Sequence, residues 1–212
     1  TEMLMGGYGL GGAMNTASRF ADSRGVFAGI VEIAVVGWLL LQQTRDGLLD
    51  QRVKVVVAEA GAEMISGVTL GDVGQAAGLA LAARDAGLPV VLSFTVETDG
   101  NLPTGESLGS AIDAVDAATQ GAAAYFMVNC PHPDHFLGVA DGGRWTERVR
   151  GLRCNASRLS HAELDAAEVL DDGDPAAFAQ GYVALSEVLP SVTVFGGCCG
   201  SDLRHVTAVA HA

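Results

Sequence analysis

Four cysteines stand in the 212-residue sequence, at positions 130, 154, 198 and 199, and three of them sit where a fold can do chemistry. Cys130 closes the apolar run Ala122–Cys130 (AAAYFMVNC), and Cys198 and Cys199 fill a Gly-Gly-Cys-Cys-Gly turn after the apolar run Ser191–Phe195. In parallel α/β folds the C-terminal ends of strands line the active site. Three thiols from distant parts of the chain then converge on one rim. Three thiolates are a suitable donor set for Zn2+, and a fourth position left open to substrate is the mark of a catalytic zinc. A zinc so placed holds a bound thiol as its thiolate, the nucleophilic form. The competing reading is three small buried hydrophobes, because free cysteine is among the most buried residue types. The glycine turn around Cys198 and Cys199 speaks against it, whereas Cys154, which has no such turn, reads as core.

The elements that must position these thiols alternate in type from about residue 50 onward. Gln51–Ala60 reads as a helix end closed by Gly61, and Glu63–Thr69 as a buried strand. Asp72 precedes an alanine-rich helix to Ala86, with Gly87 at its C-terminus. Pro89–Val96 (PVVLSFTV) is the clearest strand, and a turn-rich loop, Glu97–Gly105, comes after it. Ser107 caps a helix to Thr119, which leads into the Ala122–Cys130 strand. A Pro/His loop, a short helix near Trp145–Gly151 and a brief strand at Leu152–Ala156 come next. After a long acidic loop, Asp174-Pro175 opens a helix to Leu189 as cap and first residue. The Ser191–Phe195 strand and a helix over Ser201–Ala210 complete the series. Continuously apolar strands joined by helices predict a parallel sheet covered by helices, either a barrel or a doubly wound sheet. Within the first 50 residues, Met3–Leu10 reads as a strand entering a glycine turn, and Gly25–Gln43 has no decisive period. No repeat or linker divides the sequence, so residues 1–212 read as a single domain.

Composition narrows the function classes. The formal net charge is −13, from 12 Lys and Arg against 25 Asp and Glu. So acidic a surface repels phosphate backbones and anionic lipid, which argues against nucleic acid or a membrane as partner. The most apolar run, Val26–Leu41, contains Glu32 and is shorter than the ~20 residues that span a bilayer. No signal peptide is read at the start, and the cysteine pattern does not suit a disulfide framework. A reduced, cytoplasmic setting is expected. The 28 glycines exceed the usual ~7% share and point to tight turns and close backbone approaches.

Several other residues sit within reach of this chemistry. Ser93 and Thr95 share one face of their strand, where they either meet substrate or pack inside. Asn129, before Cys130, either supports a metal ligand by hydrogen bonding or satisfies its own loop. His132 and His135 lie at spacings that suit a nitrogen ligand, though the Pro131 and Pro133 flanks suit a rigid loop. Glu97 and Asp99 read as a rim carboxylate pair or as turn residues, and Asp171, Asp172 and Asp174 as a solvated loop. His205 reads as a helix-face residue near a subunit contact.

On these residues the sequence resembles a known family. VTVFGGCCGSDLRHV (Val192–Val206) is similar to the C-terminal signature of the homocysteine S-methyltransferases, and FMVNCPHP (Phe126–Pro133) to their upstream cysteine motif. The stretches AGAEMIS, AGLPVVLSFT and LPTGESLGSAIDAV resemble the family in the same order, so the likeness runs from about Gln51 to the end. It implies a (β/α)8 TIM-type barrel, shortened in its N-terminal third because such barrels usually take about 250 residues. It also implies one Zn2+ held by Cys130, Cys198 and Cys199, with Gly196 and Gly197 keeping the backbone close to substrate. Ser93 and Asn129 join the expected substrate contacts. MLMGGYG (Met3–Gly9) echoes the family's Asp-Gly-Gly strand end, which binds the amino acid; Gly6 and Gly7 match it and Met5 replaces the aspartate. Val68 falls where the family has an acidic residue for the substrate amino group.

The expected activity is methyl transfer from a sulfonium-type donor, S-methylmethionine or S-adenosylmethionine, to the thiol of homocysteine, forming methionine. Its partners are then a small-molecule thiol and a methyl donor, with a homo-oligomer left open. Three alternatives stand beside it: a methyltransferase for a different thiol, a shortened non-catalytic barrel with a structural zinc, and a thiol redox protein using Cys198 and Cys199. The last lacks the C-x-x-C spacing that lowers a thiol pKa.

Overall fold

In a computed structural model of the chain, the described residues are 30–32, 62–140 and 142–212. Two units separate, Thr1–Ile30 and Val31–Ala212, and the second holds nearly all of the described residues. Six strands form one sheet in the order β1 (Ile30–Glu32), β2 (Met64–Leu70), β3 (Val90–Thr95), β4 (Ala123–Asn129), β5 (Val149–Cys154), β6 (Val194–Gly197). From β2 to β6 every neighbouring pair is parallel. A doubly wound sheet reverses its strand order at a switch point. Here the order follows the chain throughout, which is the singly wound arrangement of a (β/α) barrel.

Local chemistry explains where the helices begin. The Asp72 carboxylate accepts from the Gln75 N–H and opens α1 (Val73–Asp85); Gly87, at φ +72°, turns the chain out of it. Ser107 does the same for α2 (Leu108–Thr119). Two short helices lie within segments the sequence suggested as loops, α3 (Pro133–Leu137) and α4 (His161–Ala166). The first starts on proline with His132 as its cap, and the second carries a reciprocal Ser160–Glu163 capping box. Asp174 accepts from the Ala176 and Ala177 N–H groups, so that Pro175 leads α5 (Pro175–Val188). Asp202 opens α6 (Leu203–His211). A 3-10 turn at Arg144–Arg148 replaces the short helix expected near Trp145–Gly151.

The pleat gives the sheet two different faces. Leu92 and Phe94 on β3, Phe126 and Val128 on β4, and Leu152 and Cys154 on β5 are fully buried in one core. Helices α1, α2 and α5 contribute Ala76 and Ala80, Ile112 and Val115, and Phe178 and Leu185 to the same core. Each large side chain buried there contributes about 1.5–3 kcal/mol. The opposite face carries the alternate residues, which the register aligns in rows. Ser93, Met127 and Gly151 make one row, and Thr95, Asn129, Arg153 and Gly196 make the next, nearer the strand ends. The site begins just beyond that second row.

Candidate metal centre

The two cysteine turns are both attached to the end of β5. The Cys130 N–H donates to the Arg153 carbonyl at 3.0 Å, and the Cys198 N–H to the Cys154 carbonyl at 2.8 Å. One residue further on, the Asn155 N–H donates to Pro131 O, and the Asn155 side-chain oxygen accepts from the Cys199 N–H, each at 3.0 Å. The Ala156 N–H closes the set on Cys199 O at 3.0 Å. Cys130 itself takes the left-handed conformation, φ +76°, which turns the chain sharply off β4. Non-glycine residues hold that conformation only where surrounding contacts over-determine it, and such positions cluster at functional sites.

This anchoring brings two thiols together. The Cys130 and Cys198 sulfurs are 3.2 Å apart, and all four cysteines are free thiols. Cys130 is buried, Cys198 half-buried and Cys199 exposed on the same turn. The hydrogen bond from Cys198 pulls the Cys130 thiol below its ordinary range; burial opposes this, and Asn129, Thr95 and His161 reinforce it. Cys198, on the donating side of the same bond, moves up. Of the two sulfurs, negative charge is therefore favoured on Cys130. The Asn129 side-chain amide donates to that sulfur at 3.0 Å. Cys154, fully buried, is pushed up to about 12 by desolvation and stays a neutral thiol in the core, as the sequence suggested.

A carboxylate and an imidazole stand over Cys130. His161 Nδ1 lies 3.1 Å from Glu97 Oε2. Burial lowers the His161 pKa, but the hydrogen bond and charge of Glu97, aided by Cys130, outweigh it and raise the value. Val96, His135 and His161 line a narrow crevice beside Cys130.

The donor set suits zinc, since sulfur is a preferred ligand and three thiols share this end of the sheet. Ligand sulfurs at zinc–sulfur bonds of about 2.3 Å lie roughly 3.8 Å apart. The observed 3.2 Å is about half an ångström tighter, the spacing of a sulfur–sulfur hydrogen bond. Among the described residues no group of three His, Cys, Asp or Glu side chains is arranged to hold a metal ion. Two of the three expected ligands converge, and Cys199 is on the same turn but exposed.

The family model for homocysteine S-methyltransferase matches residues 41–212. The chain belongs to this family. The match starts ten residues before the likeness read from motifs alone, within a segment outside the described residues. Among solved structures, the chain is similar to the homocysteine methyltransferase MmuM from Escherichia coli in three forms. The metallated form has a TM-score of 0.60 at 15% identity, covering 95% of this chain and 66% of that one. The apo form gives 0.57 at 14%, covering 95% and 67%. The oxidized form gives 0.55 at 16%, covering 73% and 47%. At such identities the likeness establishes the fold, and the chain spans between about half and two thirds of that protein's length. No curated protein matches the sequence.

The remaining expected residues of this family member fall in several places. Gly6 and Gly7, with Met5, lie outside the described residues. Ser93 is fully buried and donates to Asn129 Oδ1 at 2.6 Å, so it positions that amide. Asn129 Oδ1 also accepts from the Thr69 N–H at 3.0 Å, leaving its amide nitrogen directed at Cys130. A side chain at Gly196 would press on Arg153, and one at Gly197 would collide with Ser201. His132 is buried and accepts from the Asp134 N–H, the loop role, with no ligand geometry. Glu97 and Asp99 do not pair: the first meets His161 and the second caps a turn at Asn101. Asp171, Asp172 and Asp174 bond Ser157, Arg204 and the α5 N-terminus separately. His205 is not a surface residue; it is fully buried edge-on against Phe178, with Nε2 2.8 Å from Asp172 O. His161, Asn155 and Arg153 were not singled out in the sequence. The Ser-x-x-Glu box beside His161 was the available signal, whereas the other two are identified only by register.

Proposed function

We propose that the chain carries a zinc-dependent S-methyltransferase site that moves a methyl group from a sulfonium-type donor, S-methylmethionine or S-adenosylmethionine, to the thiol of homocysteine, giving methionine. The convergence of Cys130 and Cys198 at 3.2 Å, from strands 68 positions apart in sequence, is the observation that carries this reading. Cys130, Cys198 and Cys199 would hold the Zn2+, which when bound supplies the charge that keeps a thiol deprotonated near neutral pH.

The chain's own residues perform the rest. Asn129 donates to the Cys130 sulfur and is fixed by Ser93 and Thr69, so the sulfur keeps its charge and position. Asn155 fixes the Cys199 turn against the Cys130 turn. Gly196 and Gly197 leave open backbone beside the thiols. The thiolate, its proton already released, then attacks the sulfonium methyl in line as the carbon–sulfur bond to the donor breaks, and the donor leaves as a neutral thioether. The same proposal includes small-molecule partners and a reduced, cytoplasmic setting, supported by four free thiols. No described helix is long and apolar enough to cross a membrane.

Zinc content and metal-edge absorption of wild type and Cys198→Ser, with and without homocysteine, test the reading. The expected result is one zinc per chain, lost in the variant, with an added sulfur ligand when homocysteine is present. Wild type purified without zinc, and taking up none on addition, overturns it.

A further inference from the structure

We propose that His161 is a fourth ligand of the zinc centre, holding the position that the substrate thiol takes over. The inference rests on the reading above and adds a residue to its three-cysteine donor set. Its basis is the pairing of His161 with Glu97 beside Cys130. His161 Nδ1 lies 3.1 Å from Glu97 Oε2, and the same ring is within hydrogen-bonding reach of the Cys130 sulfur. One ring nitrogen is therefore committed to a carboxylate while the ring stands against a ligand atom. Metal-bound histidines almost always have this pattern, with one nitrogen on the metal and the other donating to a carboxylate or carbonyl that fixes the tautomer. With Nδ1–H on Glu97, the lone pair free for a metal is on Nε2.

Short-range parts of the chain place the ring. His161 is the first residue of α4, and the Ser160–Glu163 box sets where that helix starts. The Ser160 N–H and hydroxyl donate to Glu163 Oε2 at 2.8 and 2.7 Å. Glu97 comes from the turn after β3, where its N–H donates to the Asn101 carbonyl at 2.8 Å. His135 lines the same crevice, but its ring meets His132 edge-on at 5.8 Å between centroids. Cys130 thus has Cys198 as one neighbour and His161 as another. Among the described residues no three side chains are yet grouped for a metal, so binding has to draw the exposed Cys199 and the half-buried His161 ring inward.

A donor set of three sulfurs keeps one position open, and zinc accepts either imidazole nitrogen or thiolate sulfur there. The thiolate brings a charge that neutral imidazole lacks, so it takes the position when substrate arrives. The exchange balances: the bond to Nε2 breaks, the bond to the thiol sulfur forms, and the thiol proton passes to solvent. Nδ1 stays on Glu97 throughout, which keeps the displaced ring beside the site.

Metal-edge absorption separates the outcomes, because an imidazole ligand adds scattering from its outer ring atoms that cysteine and water lack. Zinc-loaded wild type should show this imidazole signature together with three sulfurs. His161→Ala should lose it while keeping zinc and the three sulfurs. Adding homocysteine to wild type should remove the signature as the fourth sulfur appears. Zinc affinity, read by competition with a chromophoric chelator, should fall about tenfold or more in His161→Ala and in Glu97→Gln, the scale for losing a partner of a metal-bound histidine. Glu97→Gln keeps the side-chain shape and carries the comparison if the alanine variant does not fold. Zinc-loaded wild type without the imidazole signature, or with one that survives in His161→Ala, overturns the assignment alone. A signature that persists beside the homocysteine sulfur overturns the shared position. A wild type that takes up no zinc overturns the functional reading and this one with it.

Discussion

Replacing Tyr182 by phenylalanine should both weaken the fold and loosen the thiol rim. The Tyr182 hydroxyl sits between two strands, accepting from the Cys154 N–H at 2.8 Å and donating to the Gly196 carbonyl at 2.7 Å. The ring is 2% exposed and packs against Phe178 at 4.8 Å between centroids. Phenylalanine keeps that packing and removes only the oxygen, so the loss comes from two backbone groups left without a partner. A buried polar group so stranded costs about 1–3 kcal/mol. Some relaxation is expected, and the pair should cost about 2–4 kcal/mol. With a urea dependence near 2 kcal/mol per molar, the unfolding midpoint should fall by about 1–2 M. Burial raises the Tyr182 pKa well above 10, so the hydroxyl stays a donor and the loss should be the same at pH 6 and pH 9. Gly196 lies two residues before Cys198, and zinc affinity should fall alongside stability. Val183→Ala, at an exposed position on the same helix, is the matched control. A Tyr182→Phe midpoint indistinguishable from wild type would refute the reasoning, because it would mean those backbone groups lose nothing with the hydroxyl.

Two further outcomes come from the same geometry. Gly100 and Gly105 both have positive φ, +78° and +86°, but a Cβ at Gly100 would collide with Val139 whereas Gly105 faces open space. Gly105→Ala should therefore cost only the backbone penalty, about 1 kcal/mol, and Gly100→Ala clearly more, by thermal or urea unfolding. The hydrogen bond from Ser157, reinforced by the Gly173 N–H, holds the Asp171 pKa below 3.8. A depressed carboxylate gives stability that is present above pH 3.8 and lost as pH falls below it. Ser157→Ala should make the acid limb of a stability–pH profile shallower there, and an unchanged limb would rule that contribution out.

Sequence chemistry that acts over three or four residues was legible, and chemistry that acts across the sheet was not. Asp72, Ser107 and Asp174 announced their helices because a capping side chain and the N–H it accepts from are near neighbours in the chain. The α4 capping box was equally local, yet the acidic run after it made the whole segment read as a loop. Strand β5 was expected at Leu152–Ala156 and lies at Val149–Cys154, because Arg150 and Arg153 break its apolar pattern. An arginine on the inner face of a barrel looks, in one dimension, like the end of a strand. Strand β6 extends to Gly197 for the related reason that its glycines, poor strand formers, are paired with Arg153 and Cys154. The cysteines at strand ends were recognisable in advance as a group. Their individual standing, two thiols in contact and the third exposed, depends on Asn155 and on the left-handed turn at Cys130, which no spacing rule encodes.

Hanging both cysteine turns from the end of β5 has a consequence for precision. The two sulfurs are separated by 68 residues of chain, and placement errors accumulated along such a contour would be many times the tolerance of a chemical site. Here the path between them is a few hydrogen bonds through Arg153, Cys154 and Asn155. In the language of machining, both parts are referenced to one datum surface, and of the intervening helices and loops the Tyr182 clamp on β5 and β6 is the part that enters the tolerance stack. The segments between residues 131 and 148 and between 157 and 193 can then drift in length and composition, so long as Tyr182 keeps its bridge, while the gap between the thiols stays gauged by three consecutive residues.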